Sequence, residues 1–241
     1  MFELQAWLAL IRYFKKVPTE FRKLIAGLKR QYGDPALPPA QGPFELVMWE
    51  NACYLLPDDR RAAVFEGLRK QVGLDPHKIQ NANRDVLLAL AKMGGMRPET
   101  RVFRWLEIAR ITIDQFDGDL SRILKQPSAE AKRALKQFPN IGEPGAEKIL
   151  LYCGVGPGLP LDWNGSRVLL RVGYGRANAR NYGAQYRSIQ ESLAGNVPKS
   201  AAALARAHLL LREHGKTICR DKRPLCGSCP VSSMCAFYGE A

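Results

Sequence analysis

Long apolar runs are missing from this sequence of 241 residues. No stretch reaches the roughly 18 consecutive apolar residues that a membrane-spanning helix requires. The N-terminal segment MFELQAWLALIRYFKK is apolar before it is basic, which reverses the order of a secretory signal, and no small-residue cleavage site follows it. We therefore expect a cytoplasmic protein with no membrane partner, whose N-terminal segment forms an amphipathic helix.

Acidic residues are few in this sequence relative to basic ones. Aspartate and glutamate number 23 against 36 lysines and arginines, which gives a net charge of +13. A surplus of this size says little about the fold, but it attracts polyanions such as nucleic acid or anionic lipid. A generally basic surface without such a partner is the alternative. The three histidines, His77, His208 and His214, show no metal-ligand spacing.

The period of a β-strand is also missing. Nearly every segment instead places apolar residues three and four positions apart, as in RRAAVFEGLRKQV, RDVLLALAKM and KSAAALARAHLLLREHG. Proline- and glycine-containing turns separate these segments, and the breaker-rich stretch GDPALPPAQGP (33–43) connects an N-terminal arm to the main body. The sequence therefore predicts an all-α protein without internal repeats.

Four cysteines stand close together near the C-terminus, at Cys219, Cys226, Cys229 and Cys235. Their spacing is C-x6-C-x2-C-x5-C. A cytoplasmic protein keeps thiols reduced, so these residues are expected to bind a metal rather than form disulfides. Both an iron–sulfur cluster and a tetrahedral zinc ion suit four cysteine sulfurs. Basic residues stand inside the same loop, which associates the metal site with a polyanion.

A second informative stretch is FPNIGEPGAEKILLYCG (138–154). It predicts one helix that ends at Phe138, a tight turn through Asn140, Ile141 and Gly142, and a new helix that begins near Pro144 or Gly145. A bare turn that leads into a helix N-terminus exposes backbone N–H groups to an anion and can hold a phosphate without reading sequence. An ordinary turn between two helices is the alternative.

These motifs together resemble the endonuclease III-like DNA glycosylases of the helix–hairpin–helix (HhH-GPD) superfamily. The family hairpin reads L-P-G-V-G-x-[K/S/Y]-T-A, and this chain has FPNIGEPGA from Phe138 to Ala146. The family then carries V-D-T-H-x-x-R-V, where this chain has LDWNGSRV from Leu161 to Val168. The family's iron–sulfur loop has the cysteine spacing found here. The three motifs span 138–235 in the family's order.

The resemblance implies a two-domain helical fold. A six-helix domain over 33–155 would contain the hairpin at 138–154, and 1–32 plus 156–241 would form a domain with a [4Fe–4S] cluster on the four cysteines; zinc is the alternative metal. It also implies a DNA glycosylase of base excision repair, which flips a damaged or mismatched base out of double-stranded DNA and hydrolyses its N-glycosidic bond. Such a protein would be a monomer and, in a prokaryote, associated with the nucleoid.

Two carboxylates are the predicted catalytic residues. Asp162 matches the family's catalytic aspartate, where a carboxylate can stabilise positive charge on the sugar or activate water; a helix N-cap is the alternative role. Glu50 stands in the apolar run FELVMWENACYLL and is expected either to have a partner or to have a raised pKa. A raised pKa would suit the acid that protonates the departing base. A glutamate at the edge of the helix, solvated or paired with a nearby arginine, is the alternative.

This chain departs from the family at three places. The lysine of members that also cleave the strand is replaced by Pro144, which has no amine, so we expect weak or no AP lyase activity. The family's Thr-His after the aspartate becomes Trp163-Asn164. The Gln-rich segment that fills the gap left by a flipped base becomes Tyr54-Leu55-Leu56. The base that this protein excises should therefore not be inferred from the substrate of a well-known branch of the family.

Predicted DNA contacts comprise the hairpin and nearby basic residues: Asn140, Ile141, Gly142, Gly145, Lys148, Arg167, Arg220, Lys222 and Arg223. The candidates for a base pocket or wedge are Trp49, Tyr54, Leu55 and Trp163. Two alternative functions stay open. One is a catalytically silent iron–sulfur module that binds DNA, and the other is a zinc-stabilised helical protein that binds RNA or a protein.

Overall fold

The computed structural model describes residues 20–54, 56–156 and 158–240. The predicted N-terminal amphipathic helix and Leu55 lie outside these ranges. Contacts between Cα atoms divide the chain into two compact units, of which one is Ala36–Pro160 and the other joins the chain up to Pro35 with Leu161–Ala241. None of the helices in the described ranges is long and apolar enough to cross a membrane.

The unit Ala36–Pro160 consists of helices with short connections. The first described helix, α1 (Phe21–Tyr32), precedes this unit. The helices of the unit are, in chain order, α2 (Gly42–Glu50), α3 (Asp58–Gln71), α4 (Pro76–Gln80), α5 (Arg84–Met93), α6 (Pro98–Phe116), α7 (Ser128–Leu135) and α8 (Glu143–Tyr152), with a 3₁₀ segment at Leu120–Lys125 between α6 and α7. Helix α1 belongs to the other unit. Helix α2 ends at Glu50, so the apolar run that follows leaves the helix as a turn.

One apolar core holds this unit together. Its largest fully buried side chains include Trp105, Phe65 and Met48, and Phe44, Val47, Leu90, Ile108, Ile123, Leu135 and Ile149 join them from the surrounding helices. Trp105 keeps its indole N–H satisfied in this core by donating to the backbone oxygen of Asn51 at 3.1 Å. The core therefore fixes the end of α2 against α6.

The second unit contains α1, α9 (Trp163–Arg171), α10 (Tyr182–Leu193) and α11 (Ala201–Thr217), followed by three short 3₁₀ turns between Cys226 and Glu240. Helix α10 is missing from the segments predicted from the sequence. Its polar residues obscure a short apolar stripe of Tyr186, Ile189 and Leu193, and Asn181 caps its N-terminus. The described residues contain no strand, so the predicted all-α architecture is confirmed.

Helices α9 and α11 pack closely against each other in this unit. A Cβ atom added at Gly215 of α11 would lie 2.7 Å from both the Cβ and the carbonyl oxygen of Asn164 in α9. Contacts that short do not occur between real side chains, so α9 can reach this position only because residue 215 has no side chain. The approach places the N-terminus of α9, with Asp162 before it, directly on α11.

We predict that Gly215→Ala destabilises the protein by about 1–3 kcal/mol, because α9 must move away from α11. Chemical denaturation of both proteins measures the change. Gly239→Ala is the matched control in the same unit, since a Cβ atom there meets no heavy atom within 4 Å. Equal loss of stability in the two variants would contradict the close approach.

Candidate functional site

The hairpin forms between α7 and α8, although α7 ends at Leu135 rather than at the predicted Phe138 and α8 begins at Glu143, just before the predicted start. Asn140 has φ of 60°, in the left-handed region that glycine adopts most easily and asparagine tolerates better than most residues. The related family has glycine at this position. The side-chain nitrogen of Asn140 donates to Oδ1 of Asn51 at 2.9 Å. This turn therefore obtains its left-handed residue from an asparagine that is also anchored by its side chain.

Asn51 joins the hairpin to the end of α2. Its buried side-chain nitrogen donates to the carbonyl oxygens of Val47 and Pro139, both at 3.0 Å. Together with the bond from Asn140 and the indole bond to its backbone oxygen, Asn51 connects three segments. No sequence motif marks this residue, because its role depends on contacts 88 and 89 positions away.

The first turn of α8 presents the backbone of Gly142, Glu143 and Gly145. N–H groups in a first helical turn lack intrahelical acceptors, and Pro144 contributes none. Ile141 points into the core with 5% exposure, and its N–H donates to the Phe138 carbonyl at 3.2 Å. Its part in a DNA contact would therefore be indirect.

Glu143 places a negative charge at this helix N-terminus. Its carboxylate contacts Lys132 at 2.6 Å and Lys136 at 2.8 Å. These hydrogen bonds, that from Lys132 foremost, lower the pKa of Glu143. The two ammonium groups therefore offset a carboxylate that would otherwise repel a phosphate at the hairpin.

Glu50 has a partner. Lys148 Nζ lies 2.7 Å from Glu50 Oε2, and both side chains are mostly buried, at 18% and 17% exposure. Of the two expectations for this carboxylate, the structure shows the paired one. Lys148 stands one helical turn after Pro144 on α8, so its amine points to α2 rather than standing alone as a phosphate contact.

A cavity of about 800 Å³ opens beside Glu50. Asn51, Tyr54 and Asn140 also line it, and so do four arginines: Arg61, Arg97, Arg101 and Arg104. Arg101 is buried and donates to the carbonyls of Ala91, Gly95 and Met96, which fixes the loop before α6. Sequence reasoning missed these arginines, although Arg101 and Arg104 lie three residues apart on α6 and Arg97 directly precedes this helix.

Two aromatic residues of this unit were predicted to contact the flipped base, and they differ in exposure. Tyr54 is 56% exposed at the cavity, so it can meet a ligand. Trp49 is buried and contacts Phe65 edge-on, with the ring centroids 5.3 Å apart. Arg61, which lines the cavity, places its guanidinium 5.6 Å from the centroid of the Trp49 ring. Trp49 is therefore a core residue that supports the cavity wall.

Asp162 lies in the other unit and caps α9. Its Oδ1 accepts a hydrogen bond from the Gly165 N–H at 2.8 Å, and its Oδ2 lies 3.3 Å from Arg212 Nε. The side chain remains 27% exposed. Capping and chemistry are compatible here, because the cap uses one oxygen. Arg212 comes from α11 and carries no sequence signal of its own.

An exposed aromatic pair stands next to this carboxylate. Trp163 is 55% exposed and stacks on Tyr182, with the ring centroids 6.1 Å apart at 30°. Tyr182 is continued by Tyr186 at 6.2 Å. Burial is the main cause that raises the pKa of Tyr182, and the Asp162 charge raises it further. Trp163 was predicted as a stacking residue, whereas Tyr182 was missed with the rest of α10.

Arg167 is engaged within its own unit. Its guanidinium donates to Asn164 Oδ1 at 2.8 Å, to the Gly215 carbonyl at 2.6 Å and to the Cys219 carbonyl at 2.9 Å. It therefore connects the segment after Asp162 to α11 and to the first cysteine. Arg167, which was predicted to contact DNA, therefore also positions these segments.

The four cysteines line one cavity, together with Arg171 and His214. Its volume is about 20 Å³, so the four thiols lie close around a small space. All four are free thiols. Among the described residues, no three or more His, Cys, Asp or Glu side chains are arranged to hold a single metal ion. The donor set nevertheless fits a sulfur-bound group, since four thiols and no carboxylate border the cavity.

Arg171 organises the cysteine loop. Its guanidinium donates to the carbonyls of Arg220 at 2.7 Å and Asp221 at 3.1 Å, and it lies 3.3 Å from Cys219 Sγ. Burial raises the pKa of the Cys219 thiol, and the contact with Arg171 opposes that rise. The predicted DNA contacts Arg220, Lys222 and Arg223 are exposed around this loop.

Sequence comparison finds similarity to thymine-DNA glycosylases and to endonuclease III proteins. The chain is 25% identical over 217 residues to the thymine-DNA glycosylase of Aeropyrum pernix, which covers 88% of this chain and 91% of that protein. It is 23% identical over 182 residues to an endonuclease III of Sulfolobus acidocaldarius, covering 75% and 76%. No family model matches the chain.

Solved structures agree on the fold. A thermostable thymine-DNA glycosylase superposes with a TM-score of 0.71 at 16% identity, over 92% of this chain and 98% of that one. A non-covalent endonuclease III–DNA complex also gives 0.71 at 17% identity, over 91% and 95%. The molecule therefore has the fold of the helical DNA glycosylases.

The chain is thus similar in sequence to endonuclease III and thymine-DNA glycosylases, and it shares their fold.

We predict that Asn51→Ala lowers the free energy of unfolding by about 1–3 kcal/mol, because it leaves the Pro139 carbonyl and the Asn140 amide without their buried partner. Thermal or urea unfolding measures this loss. Asn81→Ala is a matched control: Asn81 also follows a helix end and donates to the carbonyl four residues earlier, but it is exposed. A similar loss at both positions would contradict the anchoring role.

Proposed function

We propose that this protein is a DNA glycosylase of base excision repair that hydrolyses the N-glycosidic bond of a damaged or mismatched base in double-stranded DNA. The proposal rests mainly on the position and surroundings of Asp162. This residue lies in the family's aspartate motif and is partly exposed, next to the stacked Trp163 and Tyr182 and upstream of a basic cysteine loop. The names of the relatives and the positive net charge support the same activity.

Asp162 would act on the sugar. Loss of the base leaves positive charge on the deoxyribose, which a nearby carboxylate stabilises, and the same carboxylate can activate the attacking water. The Gly165 N–H and Arg212 fix its two oxygens, so the group is held in one orientation before substrate binds. The exposed face of Trp163 offers a surface on which a flipped base can stack.

Glu50 would assist departure of the base. In the structure it shares an ion pair with Lys148, so any proton transfer at this position involves the pair rather than an isolated acid. The cavity beside it is lined by the exposed Tyr54 and by arginines at the start of α6 and directly before it. Arg97 and Arg104 would there add phosphate contacts to those of the hairpin and of Arg220, Lys222 and Arg223.

The four cysteines would hold a [4Fe–4S] cluster, with zinc as the alternative. Four thiols around one cavity supply the ligands that such a cluster requires. When bound, the cluster would fix the loop that carries Arg220, Lys222 and Arg223. Base excision itself is assigned to Asp162 and Glu50, and the protein would act as a monomer on DNA.

We predict that Asp162→Asn lowers base release by at least about 10²-fold with DNA affinity retained, because the loss of a group that stabilises transition-state charge costs about 10²–10³ in rate. Asparagine caps helices as well as aspartate does, so the fold survives. Single-turnover base release from a panel of damaged and mismatched duplexes measures the rate. Asp75→Asn, which removes the charge of another N-cap aspartate, is the control.

The same assay tests Glu50. Glu50→Gln should slow base release by about 10²-fold or more if this side chain takes part in proton transfer. An unchanged rate would assign Glu50 to stability alone. Tight DNA binding by the wild-type protein with no release from any duplex would instead favour the catalytically silent iron–sulfur module.

We predict little AP lyase activity, because the position of the family's lysine is Pro144 and Lys148 is paired with Glu50. Borohydride trapping on abasic DNA measures covalent adducts. Pro144→Lys should restore trapping, and Lys148→Ala should leave the weak wild-type signal unchanged. Wild-type trapping as efficient as that of Pro144→Lys, and lost in Lys148→Ala, would show that Lys148 supplies the amine.

A further inference from the structure

A series of hydrogen-bonded polar side chains connects α1 to the cysteine cavity. Tyr32 Oη lies 3.0 Å from His214 Nδ1 and 3.0 Å from Thr217 Oγ1. Across the ring, His214 Nε2 lies 3.5 Å from Cys229 Sγ. His214 is 1% exposed, so its two ring nitrogens depend on these neighbours for hydrogen bonds.

Two arrangements of protons are compatible with these contacts. In the first, Thr217 donates to the Glu213 carbonyl, which lies 2.8 Å away and can only accept. Tyr32 then donates to Thr217 and accepts from the Nδ1–H of His214. The neutral ring has no proton left for Nε2, so Nε2 accepts the S–H of the Cys229 thiol.

In the second arrangement both hydroxyl groups turn, and Thr217 gives up its hydrogen bond to the Glu213 carbonyl. Thr217 donates to Tyr32, Tyr32 donates to Nδ1, and the neutral ring carries its single proton on Nε2. The ring then donates an N–H···S hydrogen bond to Cys229. A thiol at Cys229 is compatible with both arrangements. A thiolate can only accept, so it is compatible with the second alone.

We propose that, in the cluster-bearing protein, His214 donates an Nε2–H···S hydrogen bond to the Cys229 sulfur and that Tyr32 holds the ring in the tautomer that does so. The inference rests on the iron–sulfur cluster of the proposed function. The thiol proton of Cys229 passes to solvent when the sulfur becomes a ligand, and the ring stays neutral. Donated hydrogen bonds stabilise the more electron-rich reduced cluster, so His214 raises the reduction potential.

The experiment compares the reduction potentials of five purified full-length proteins, with iron content and visible absorption measured for each. His214→Leu removes the donor and should shift the potential to a more negative value. His214→Gln can place an amide N–H near the position of Nε2 and should restore part of the shift. Voltammetry of the DNA-bound proteins gives the potentials without reference to base release.

Tyr32→Phe and Thr217→Val form a matched pair. Tyr32→Phe removes the group that donates to Nδ1 and should shift the potential in the same direction as His214→Leu, by a smaller amount. Thr217→Val leaves Tyr32 with Nδ1 as its partner, so the potential should stay at the wild-type value. A merely structural role would not separate these two variants in this order.

The outcomes are distinguishable. Iron-loaded His214→Leu with the wild-type potential would overturn the hydrogen bond to Cys229. If His214→Leu fails to retain iron, equal potentials for Tyr32→Phe and Thr217→Val would overturn it. A colourless wild-type protein with stoichiometric zinc would overturn the proposed cofactor instead.

Discussion

The close approach of α9 to α11 is the constraint on which the second unit depends. It exists because Gly215 has no side chain, so that the backbone of Asn164 can lie where a Cβ atom would be. Arg167 reinforces it by bonding Asn164, the Gly215 carbonyl and the Cys219 carbonyl. One contact therefore positions the predicted catalytic aspartate, the arginine of its motif and the first residue of the cysteine loop.

Charge is distributed in a manner that follows from the excess of basic residues. The two predicted catalytic carboxylates each contact a base, Asp162 with Arg212 and Glu50 with Lys148. Glu143 at the hairpin is likewise offset by Lys132 and Lys136. A protein that binds a polyanion benefits from this arrangement, because each carboxylate that it keeps near DNA has its repulsion reduced by an adjacent cation.

The sequence supported the helical class, the hairpin and the cysteine loop, since each depends on residues close together in the chain. Asn140 could be recognised at a glycine position because left-handed backbone is a local property. Asn51, Arg212 and Tyr182 could not be recognised in this way. Their contacts with the hairpin, with Asp162 and with Trp163 join residues far apart in sequence, and α10 was hidden by its polar composition. The Lys148 partner of Glu50 likewise emerged only from the folded chain.

By itself, the sequence determined that this protein is helical and basic, and that it carries an aspartate motif between a hairpin and four cysteines. These properties follow from periodicity, composition and spacing, which the chain holds before it folds. The tertiary structure decided what each side chain is free to do. It committed Arg167 and Arg171 to internal carbonyls, paired Glu50, buried Trp49 and placed His214 between Tyr32 and Cys229. Burial and hydrogen bonding are properties of neighbours in space, and the packing of the helices selects those neighbours.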